Sequence, residues 1–376
     1  MIEAQDLEIA ARKLLPRFVF DFVSGGSGQE RALHNNTDAL ADVRFVPRVL
    51  SGMTSPSTSV KVLGQTFAAP IGIAPIGMLG LVRKGAETLL ARTAHAQNIP
   101  MILSTAATQS IEEIAKVAGE NFWFQYYPTQ LQTLNDNLID RAHSVGCQTL
   151  MLTVDTPVPG RRLRDLRNGL QIPPRLTPKT IGQLAVRPRW AITRALAGTP
   201  ELANLGGMAG EPPRSFADTM KLLSAPSMTW EDVAKLRENW QGNLIVKGLL
   251  HPEDVLHCVE LGVDGVVLSN HGGRQLDSAV APANVLPACR EVAGAKLTII
   301  ADGGIRSGED AAKYLALGAD FVLVGRPFVY AAAVGEEHIS PLIELLVSEL
   351  ENTLSLAGVP IEELGKVLAQ NVGTKR

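Results

Sequence analysis

Three segments of the chain repeat one pattern, in which a glycine precedes a short run of aliphatic residues that ends at a small or polar residue. The segments are VGCQTLMLTVD from Val145, LGVDGVVLSNH from Leu261 and LGADFVLVGRP from Leu317. A glycine that ends a helix and leads into a buried strand is typical of a repeating β-α unit with parallel strands. The repeat therefore predicts a parallel α/β fold with polar residues at the carboxyl ends of its strands.

Five further segments have the composition of buried strands, which brings the predicted number of strands to eight. They are PIGIAP at 70–75, PMILST at 100–105, FWFQYY at 122–127, NLIVKG at 243–248 and LTIIADGG at 297–304. Capping boxes that start the intervening helices are found at Ser110 with Glu113, Thr229 with Asp232 and Ser307 with Asp310. Eight parallel strands that alternate with helices favour a (β/α)8 TIM barrel over an open doubly wound sheet.

We expect the whole chain, residues 1–376, to form this single barrel domain, with two additions. Residues 1–65 are predicted to be an N-terminal extension of helices and loops. Residues 170–228 follow the fourth strand and are rich in proline, glycine and arginine. They are predicted to be a long insertion that covers the active face.

Charge, cysteine content and hydropathy limit the kinds of partner and the cellular compartment expected for this protein. The formal net charge of −3 gives no reason to expect a nucleic-acid partner. Cys147, Cys258 and Cys289 lie in apolar segments without CxxC spacing or nearby histidines, so we expect reduced, buried thiols and no metal site. The sequence has no signal-peptide pattern and no apolar run of about eighteen residues. We therefore expect a cytoplasmic protein.

The residues that follow the predicted strands should meet at one face, because the active site of such a barrel lies at the carboxyl ends of its strands. They form a ring rich in hydroxyl and amide groups: Pro75, Ile76, Gly77, Ser104, Gln125, Tyr127, Thr153, Asp155, Lys247, Ser269, His271, Asp302, Gly303, Gly304, Gly325 and Arg326. After the last two strands, DGGIRSGED and VGRP combine glycines with Arg306 and Arg326. That combination is typical of a phosphate site.

Four motifs, SNHGGRQLD, LTVDTP followed by GRRLRDLRNG, ADGGIRSGED and GRP, resemble those of the FMN-dependent L-2-hydroxyacid dehydrogenases and oxidases. That family includes glycolate oxidase, L-lactate dehydrogenase and mandelate dehydrogenase. The resemblance covers nearly the whole chain, in order and with matching spacing. It implies FMN as the cofactor and oxidation of an L-2-hydroxy acid to the 2-oxo acid. Quinone, another acceptor or oxygen would reoxidise the flavin, and the protein would be a homo-oligomer, namely a tetramer.

The resemblance also implies a role for each catalytic residue. His271 matches the base that takes a proton from the substrate as two electrons pass to flavin N5, a task suited to an imidazole. Asp155 matches the carboxylate that orients this histidine and favours its protonated form. Arg274 matches the guanidinium that binds the substrate carboxylate. Arg162 matches a second arginine at the pocket mouth, and Tyr127 a tyrosine that hydrogen-bonds the substrate.

Cofactor contacts follow from the same resemblance. Lys247 matches a lysine near flavin N1 and the C2 carbonyl, where a fixed cation stabilises the charge of reduced flavin. The remaining predicted contacts to FMN are Pro75, Ile76, Gly77, Ser104, Gln125, Thr153 and Ser269 around the isoalloxazine, and Asp302, Gly303, Gly304, Arg306, Gly325 and Arg326 around the ribityl phosphate.

Three positions in the predicted site bear on the substrate. Phe22 stands where the family usually has a tyrosine that helps the arginine to hold the carboxylate, which predicts an apolar wall. Ala106 stands where glycolate oxidase has a large aromatic residue. Gly77 lies close to flavin N5, where glycine goes with dehydrogenases rather than fast oxidases. We therefore expect a dehydrogenase for an acid of lactate size or larger, including aryl acids such as mandelate.

The segment 175–210 carries five basic residues and one acid, Glu201, with Trp190 among Arg187, Arg189 and Arg194. A basic segment with an interfacial tryptophan is typical of peripheral binding to a membrane surface, here the inner face of the cell membrane. It also resembles the corresponding segment of membrane-associated bacterial lactate and mandelate dehydrogenases. The alternative is a solvated lid.

Other functions stay open. An oxygen-using oxidase would release hydrogen peroxide. A different phosphate-binding barrel, such as a flavin-dependent isomerase or a lyase that forms a Schiff base on Lys247, would use the same glycines and arginines. The Phe22 change could also mark a flavin-binding protein that has lost catalysis.

Overall fold

The N-terminal part of the chain forms three helices followed by a small antiparallel hairpin. The computed structural model describes residues 2–169, 177–206 and 228–369. The elements before the barrel are α1 (Ala4–Leu14), α2 (Arg17–Ser24), α3 (Arg31–Asp42), β1 (Val60–Val62) and β2 (Gln65–Phe67). The helices agree with the predicted extension, whereas the hairpin was not predicted.

Eight parallel strands then close into a barrel, which confirms the predicted (β/α)8 TIM-barrel fold. The strands are β3 (Ile71–Ile73), β4 (Met101–Ser104), β5 (Phe122–Tyr126), β6 (Thr149–Thr153), β7 (Asn243–Leu249), β8 (Gly265–Leu268), β9 (Thr298–Asp302) and β10 (Phe321–Val324). Neighbouring strands follow chain order, and β10 pairs with β3 to close the sheet. Seven lie within the segments predicted from the sequence, and β7 extends one residue beyond its predicted segment, to Leu249.

The β1–β2 hairpin closes the amino-terminal end of the barrel. Its side chains Val62 and Phe67 are buried with the barrel interior. The Phe67 ring lies edge-on to Trp123 and Phe321, at centroid distances of 6.1 and 5.9 Å. Aromatic packing at this end leaves the opposite, carboxyl end of the strands as the open face.

Helices surround the barrel. They are α4 (Leu79–Val82), α5 (Ala86–Ala96), α6 (Ile111–Ala118), α7 (Gln132–Ser144), α8 (Leu163–Asn168), α9 (Pro178–Ala185), α10 (Pro188–Ala197), α11 (Trp230–Asn239), α12 (Pro252–Glu260), α13 (Pro282–Ala293), α14 (Gly308–Leu317), α15 (Arg326–Val334) and α16 (Ile339–Ala357). The predicted capping boxes are present at Ser110, Thr229 and Ser307. Gly262 and Gly318, which lead into strands β8 and β10, have φ values of 67° and 115°, a region that favours glycine.

Helix α8 follows β6, and the predicted insertion 170–228 contributes α9 and α10. Parts of the predicted insertion 170–228, namely 170–176 and 207–227, lie outside the described residues. Trp190 of α10 packs edge-on against Phe18 at 5.8 Å, and its Nε1 donates to the carbonyl oxygen of Leu81 at 3.3 Å. Trp190 therefore faces the protein, which corrects the expectation that it supplies the interfacial contact of this segment.

Other apolar residues of α9 and α10, and of the turn between them, face solvent. They are Ile181, Val186, Ile192 and Leu196. Among the described residues, no helix combines the length and the hydropathy needed to cross a bilayer.

Candidate active site

A cavity of about 970 Å³ opens at the carboxyl ends of the barrel strands. This volume is within the range of small-molecule and cofactor sites, roughly 300–1,000 Å³. The predicted site residues that line it are Phe22, Pro75, Ile76, Gly77, Ser104, Ala106, Tyr127, Thr153, Arg162, Lys247, His271, Arg274, Asp302, Gly303, Gly304, Arg306, Gly325 and Arg326. Gln125, Asp155 and Ser269 hydrogen-bond to residues of this lining. The fold thus places the site residues predicted from the sequence in or next to the lining of one cavity.

His271 lies just after β8, in a backbone conformation that only a few per cent of non-glycine residues adopt. Its φ is 59°, and its backbone N–H donates to the Ser269 hydroxyl at 3.0 Å. The imidazole Nδ1 lies 3.0 and 3.2 Å from the two carboxylate oxygens of Asp155. Nε2 lies 3.2 Å from the Tyr127 hydroxyl. Because an ionised carboxylate only accepts, Nδ1 carries a proton and Nε2 faces the cavity side of the ring.

The electrostatics of this group favour a charged Asp155. Burial alone would raise the pKa of Asp155, but His271 and then Lys247 outweigh burial, so that the pKa lies below its ordinary value. Burial, followed by the charge of Asp155, raises the pKa of Tyr127. Tyr127 is accordingly a neutral phenol that can donate its proton in a hydrogen bond.

Lys247, at the end of β7, is held inside the site by two contacts. Its Nζ lies 2.9 Å from Oδ2 of Asp302 and donates to the Ser269 hydroxyl at 2.7 Å. Oδ1 of Asp302 is buried without a hydrogen-bond partner among the described residues. A Schiff-base lysine needs a free amine, whereas this amine is engaged on two sides, which counts against the lyase alternative.

A chain of buried polar side chains crosses the strand ends of β4, β5 and β6. The Ser104 hydroxyl donates to Oε1 of Gln125 at 2.8 Å, and Nε2 of Gln125 donates to the Thr153 hydroxyl at 2.9 Å. All three side chains are buried. Their hydroxyl and amide groups can donate to and accept from the nitrogen and oxygen atoms at the edge of a flat heterocycle.

Two half-buried guanidinium groups, those of Arg274 and Arg162, give the mouth of the cavity an excess of positive charge. Nη1 of Arg274 donates to the carbonyl oxygens of Phe22 at 2.7 Å and Gly25 at 3.1 Å, and its Cζ lies 5.2 Å from the centre of the Phe22 ring. Burial, and then the charge of Arg162, lowers the pKa of Arg274 well below its usual range. Nε of Arg162 is buried without a partner among the described residues. An anionic ligand would satisfy both groups.

After β9 and β10, the cavity is lined by glycine backbone and by the side chains of two arginines. Gly303 and Gly304 have φ values of 98° and 82°, which other residues rarely adopt. Arg326 begins α15, and its guanidinium donates to the carbonyl oxygens of Val23 and Gly272 at 3.1 and 3.0 Å. Burial, and then the charge of Arg306, lowers the pKa of Arg326 to about 10. Two cations beside glycines that line the cavity are suited to a phosphate group.

These features fit FMN. The polar chain from Ser104 to Thr153 suits the edge of an isoalloxazine, and the glycines with Arg306 suit its phosphate. The orphaned Oδ1 of Asp302 and Nε of Arg162 still need partners, which a bound cofactor and an anionic substrate would bring.

Comparison with known proteins agrees with this geometry. The sequence profile of the FMN-dependent dehydrogenases matches residues 11–370. The chain belongs to this family. The L-lactate dehydrogenase of Caulobacter vibrioides is 39% identical over 359 residues, which cover 94% of this chain and 93% of that protein. The L-lactate dehydrogenase of Pseudomonas aeruginosa is 38% identical over 372 residues, with coverage of 98% and 97%.

Solved structures of family members share the fold. An (S)-mandelate dehydrogenase described as a monotopic membrane protein superposes with a TM-score of 0.93 at 35% identity, over 98% of this chain and 99% of that chain. A mandelate oxidase superposes with a TM-score of 0.84 at 36% identity, over 98% of each chain. The protein is therefore an FMN-dependent 2-hydroxy acid oxidoreductase. The family and the cofactor predicted from the motifs are confirmed.

The structure also places two residues that the sequence did not single out, Asp165 and Asn36. Asp165 of α8 lines the cavity, and burial raises its pKa even though Arg274 and Arg162 oppose the shift. Asn36 and Asn270 exchange hydrogen bonds of 2.8 and 2.6 Å beneath the glycines after β9. The only sequence signal for Asp165 is its place in GRRLRDLRNG, between arginines; Asn36 lies in the extension and carries no signal.

Proposed function

We propose that this family member oxidises an L-2-hydroxy acid of lactate size or larger, including aryl acids, to the 2-oxo acid. The observation that carries the proposal is the convergence of His271, Tyr127, Arg162 and Arg274 on one cavity. A base and a phenol next to two half-buried cations suit a substrate with a hydroxyl beside a carboxylate.

The residues divide the work as follows. Arg274 and Arg162 bind the carboxylate and fix the acid at the cavity mouth. Nε2 of His271 takes a proton from the substrate, and Asp155 at Nδ1 keeps the imidazole oriented and stabilises the imidazolium. FMN, when bound, would supply the acceptor for the two electrons that leave the substrate. Tyr127 donates a hydrogen bond to the substrate from within 3.2 Å of Nε2.

A further set of residues around the same cavity would hold the cofactor. Lys247 supplies a fixed cation, whose salt bridge to Asp302 keeps it in place. Ser104, Gln125 and Thr153 supply hydrogen bonds to a heterocycle. The other cofactor contacts proposed are Pro75, Ile76, Gly77, Ser269, Gly303, Gly304, Arg306, Gly325 and Arg326.

The substrate side of the cavity favours an apolar group on the acid. Phe22 offers a ring where a polar hydroxyl is usual in the family, and Met78, Leu79 and Val82 add apolar lining. A Cβ atom built on Gly77 would lie 3.0 Å from Cβ of Ala106, so two small residues stand side by side. Relatives named for lactate and for mandelate are consistent with this size range.

Quinone at a membrane surface is the acceptor that we propose, with α9 and α10 in peripheral contact. Support comes from the solvent-facing Ile181, Ile192 and Leu196 and from the structural neighbour described as monotopic. The oxidase alternative has its own support, since mandelate oxidases are also structural neighbours. The homotetramer stays a prediction.

Anaerobic mixing with a panel of L-2-hydroxy acids tests the proposal. Bleaching of the flavin absorbance by one class of acid would identify reaction and substrate together, and subsequent addition of oxygen or of a quinone would separate oxidase from dehydrogenase. Bound flavin that no acid reduces would instead support a flavin-binding protein without catalysis. Co-sedimentation with anionic liposomes tests the membrane contact separately.

A further inference from the structure

A second cavity, of about 560 Å³, lies outside the active site, between α1, α2, α8 and α9. We call it the arginine cavity. Five arginines line it: Arg12, Arg17, Arg164, Arg167 and Arg187. Among the described residues, Asp21 is the one carboxylate in its lining. Leu15, Phe20 and Val186 provide an apolar part of the wall.

The arginine cavity is separate from the FMN and substrate site. Helices α2 and α8 form a wall between the two spaces. Phe22 of α2 and Asp165 of α8 line the active site, whereas Phe20 of α2 and Arg164 of α8 line the arginine cavity. A ligand in the arginine cavity would therefore leave the active site free.

The carboxylates nearby leave most of the positive charge unmatched. Asp21 lies 3.3 Å from Nε of Arg17 and 3.9 Å from Nη1 of Arg164, and it also accepts from Nδ2 of Asn168 at 2.7 Å. Glu30 pairs with Arg164 as well. Within the described parts of the chain, the remaining three arginines of the cavity, Arg12, Arg167 and Arg187, make no ion pair.

Two of these three arginines are already positioned by uncharged groups. Nε and Nη2 of Arg187 donate to the carbonyl oxygens of Leu15 at 3.3 Å and Arg12 at 3.4 Å, and Nη1 donates to its neighbour Val186 at 2.9 Å. A guanidinium has five N–H donors, so two remain. Cζ of Arg12 lies 5.8 Å from the centre of the Phe20 ring. Ordering these side chains before a ligand arrives reduces the entropic cost of binding it.

We propose that the arginine cavity binds the phosphate group of an anionic ligand, a phosphate monoester or diester that is either free in solution or the headgroup of a phospholipid. Planar guanidinium groups match phosphate oxygens bidentately, and several of them converge here on a space of ligand size. The apolar wall suits the organic part of such an ester.

The two sources differ in what surrounds the phosphate. Val186 lines the cavity and is itself exposed to solvent, as is Ile181 of α9. A phospholipid would place its headgroup among the arginines and its acyl chains beside these apolar residues. This source rests on the membrane contact proposed above, whereas binding of a free phosphate ester does not.

The experiment uses the FMN-loaded enzyme, in which the glycines after β9 and β10 are occupied. Glycerol phosphate is titrated calorimetrically at constant ionic strength, and phosphatidylglycerol vesicles are compared with phosphatidylcholine vesicles in co-sedimentation. The variants are Arg12→Gln, Arg167→Gln and the double variant. Arg189→Gln is the matched control, because Arg189 is an exposed arginine of α10 that does not line the cavity.

We expect the association constant for one of the two ligands to fall about two- to fivefold in each single variant and about tenfold in the double variant. Arg189→Gln should leave it unchanged. Loss with glycerol phosphate identifies a soluble ester, and loss with vesicles alone identifies a headgroup. Binding that is unaffected by the cavity variants, or lowered equally by Arg189→Gln, overturns the proposal. If Leu196→Ser abolishes vesicle binding while the cavity variants retain it, the membrane contact stands and the arginine cavity has no part in it.

Discussion

Replacement of Phe22 by tyrosine introduces a hydroxyl at the position where the resemblance to the family predicts a tyrosine. The structure defines the surroundings of this position. The Phe22 ring lies under Arg274, at 5.2 Å from Cζ, and the Phe22 carbonyl oxygen accepts from Nη1 at 2.7 Å. Neither contact depends on the para position of the ring, so Phe22→Tyr should leave Arg274 in place. The change therefore isolates one hydrogen-bond donor in the wall of the substrate cavity.

The expected magnitude follows from what that donor meets. For a small acid, the hydroxyl gains a hydrogen bond to a charged carboxylate, worth about 1.5–3 kcal/mol, or roughly ten- to a hundredfold in KM. For an aryl acid, the same hydroxyl is buried against a ring, which costs about 1–3 kcal/mol when it finds no partner. We expect the ratio of kcat/KM for lactate over mandelate to rise at least about tenfold.

Steady-state kinetics with the two acids and a fixed artificial acceptor measure this ratio. Phe20→Tyr is the matched control, because Phe20 lies on the same helix but lines the arginine cavity. An unchanged ratio in Phe22→Tyr would refute the idea that Phe22 sets the substrate preference. An equal change in Phe20→Tyr would assign the effect to the stability of α2 instead.

Three further predictions concern the base, the buried cation and the acid limit of stability. His271→Asn should slow anaerobic flavin reduction by about 10²–10⁴-fold while FMN content stays constant. Lys247→Met leaves Asp302 buried without its partner and should destabilise the protein by about 3–5 kcal/mol in chemical unfolding, with faster FMN release. Arg141 holds the pKa of the half-exposed Glu112 at about 2, below 4.5, so Glu112→Gln should cost about 0.5–1 kcal/mol at neutral pH. That cost should disappear as pH falls from 4.5 towards 2.

Each of these has an outcome that contradicts it. Flavin reduction at an undiminished rate in His271→Asn would remove the imidazole from the proposed chemistry. Adding Asp302→Asn to Lys247→Met should restore the stability of the protein. A double variant as unstable as Lys247→Met alone would mean that the unpaired carboxylate does not cause the loss. For Glu112→Gln, a difference in unfolding free energy that persists at pH 2 would exclude ionisation of Glu112 as its origin.

The fold could be predicted because its signals are local. A strand buried on both faces needs a continuous apolar run, and a helix needs partners for its first N–H groups, so runs such as those at 149–153 and caps such as Ser307 are visible in the sequence. The location of the site could be predicted because the residues that follow the strands of a barrel meet at one face. Assignment of FMN and of roles to those residues came from family motifs rather than from spacing.

What could not be predicted depends on contacts between distant parts of the chain. The sequence marked Trp190 as an aromatic among arginines, but only the packing against Phe18 decides that it faces inward. The β1–β2 hairpin consists of two three-residue strands, too short to give an alternating pattern. The arginine cavity joins residues from 12–21, 164–168 and 183–187, and no window of sequence contains them together.

The wall formed by α2 and α8 carries charged residues that affect both the active site and the arginine cavity. Asp21 of α2 and Asp165 of α8 are its acids, one on each side, and Asp21 adds to the burial that raises the pKa of Asp165. Each acid faces at least two arginines, so neither neutralises its own side. Arg162 and Arg274 are half-buried, so an anion on their side offsets the cost of an unpaired cation. Arg12, Arg17 and Arg167 are exposed to solvent, so an anion on their side gains only the weaker attraction of solvated charges. The same wall thus presents unmatched positive charge to the carboxylate proposed for the face of Arg274 and to the phosphate proposed for the face of Arg167.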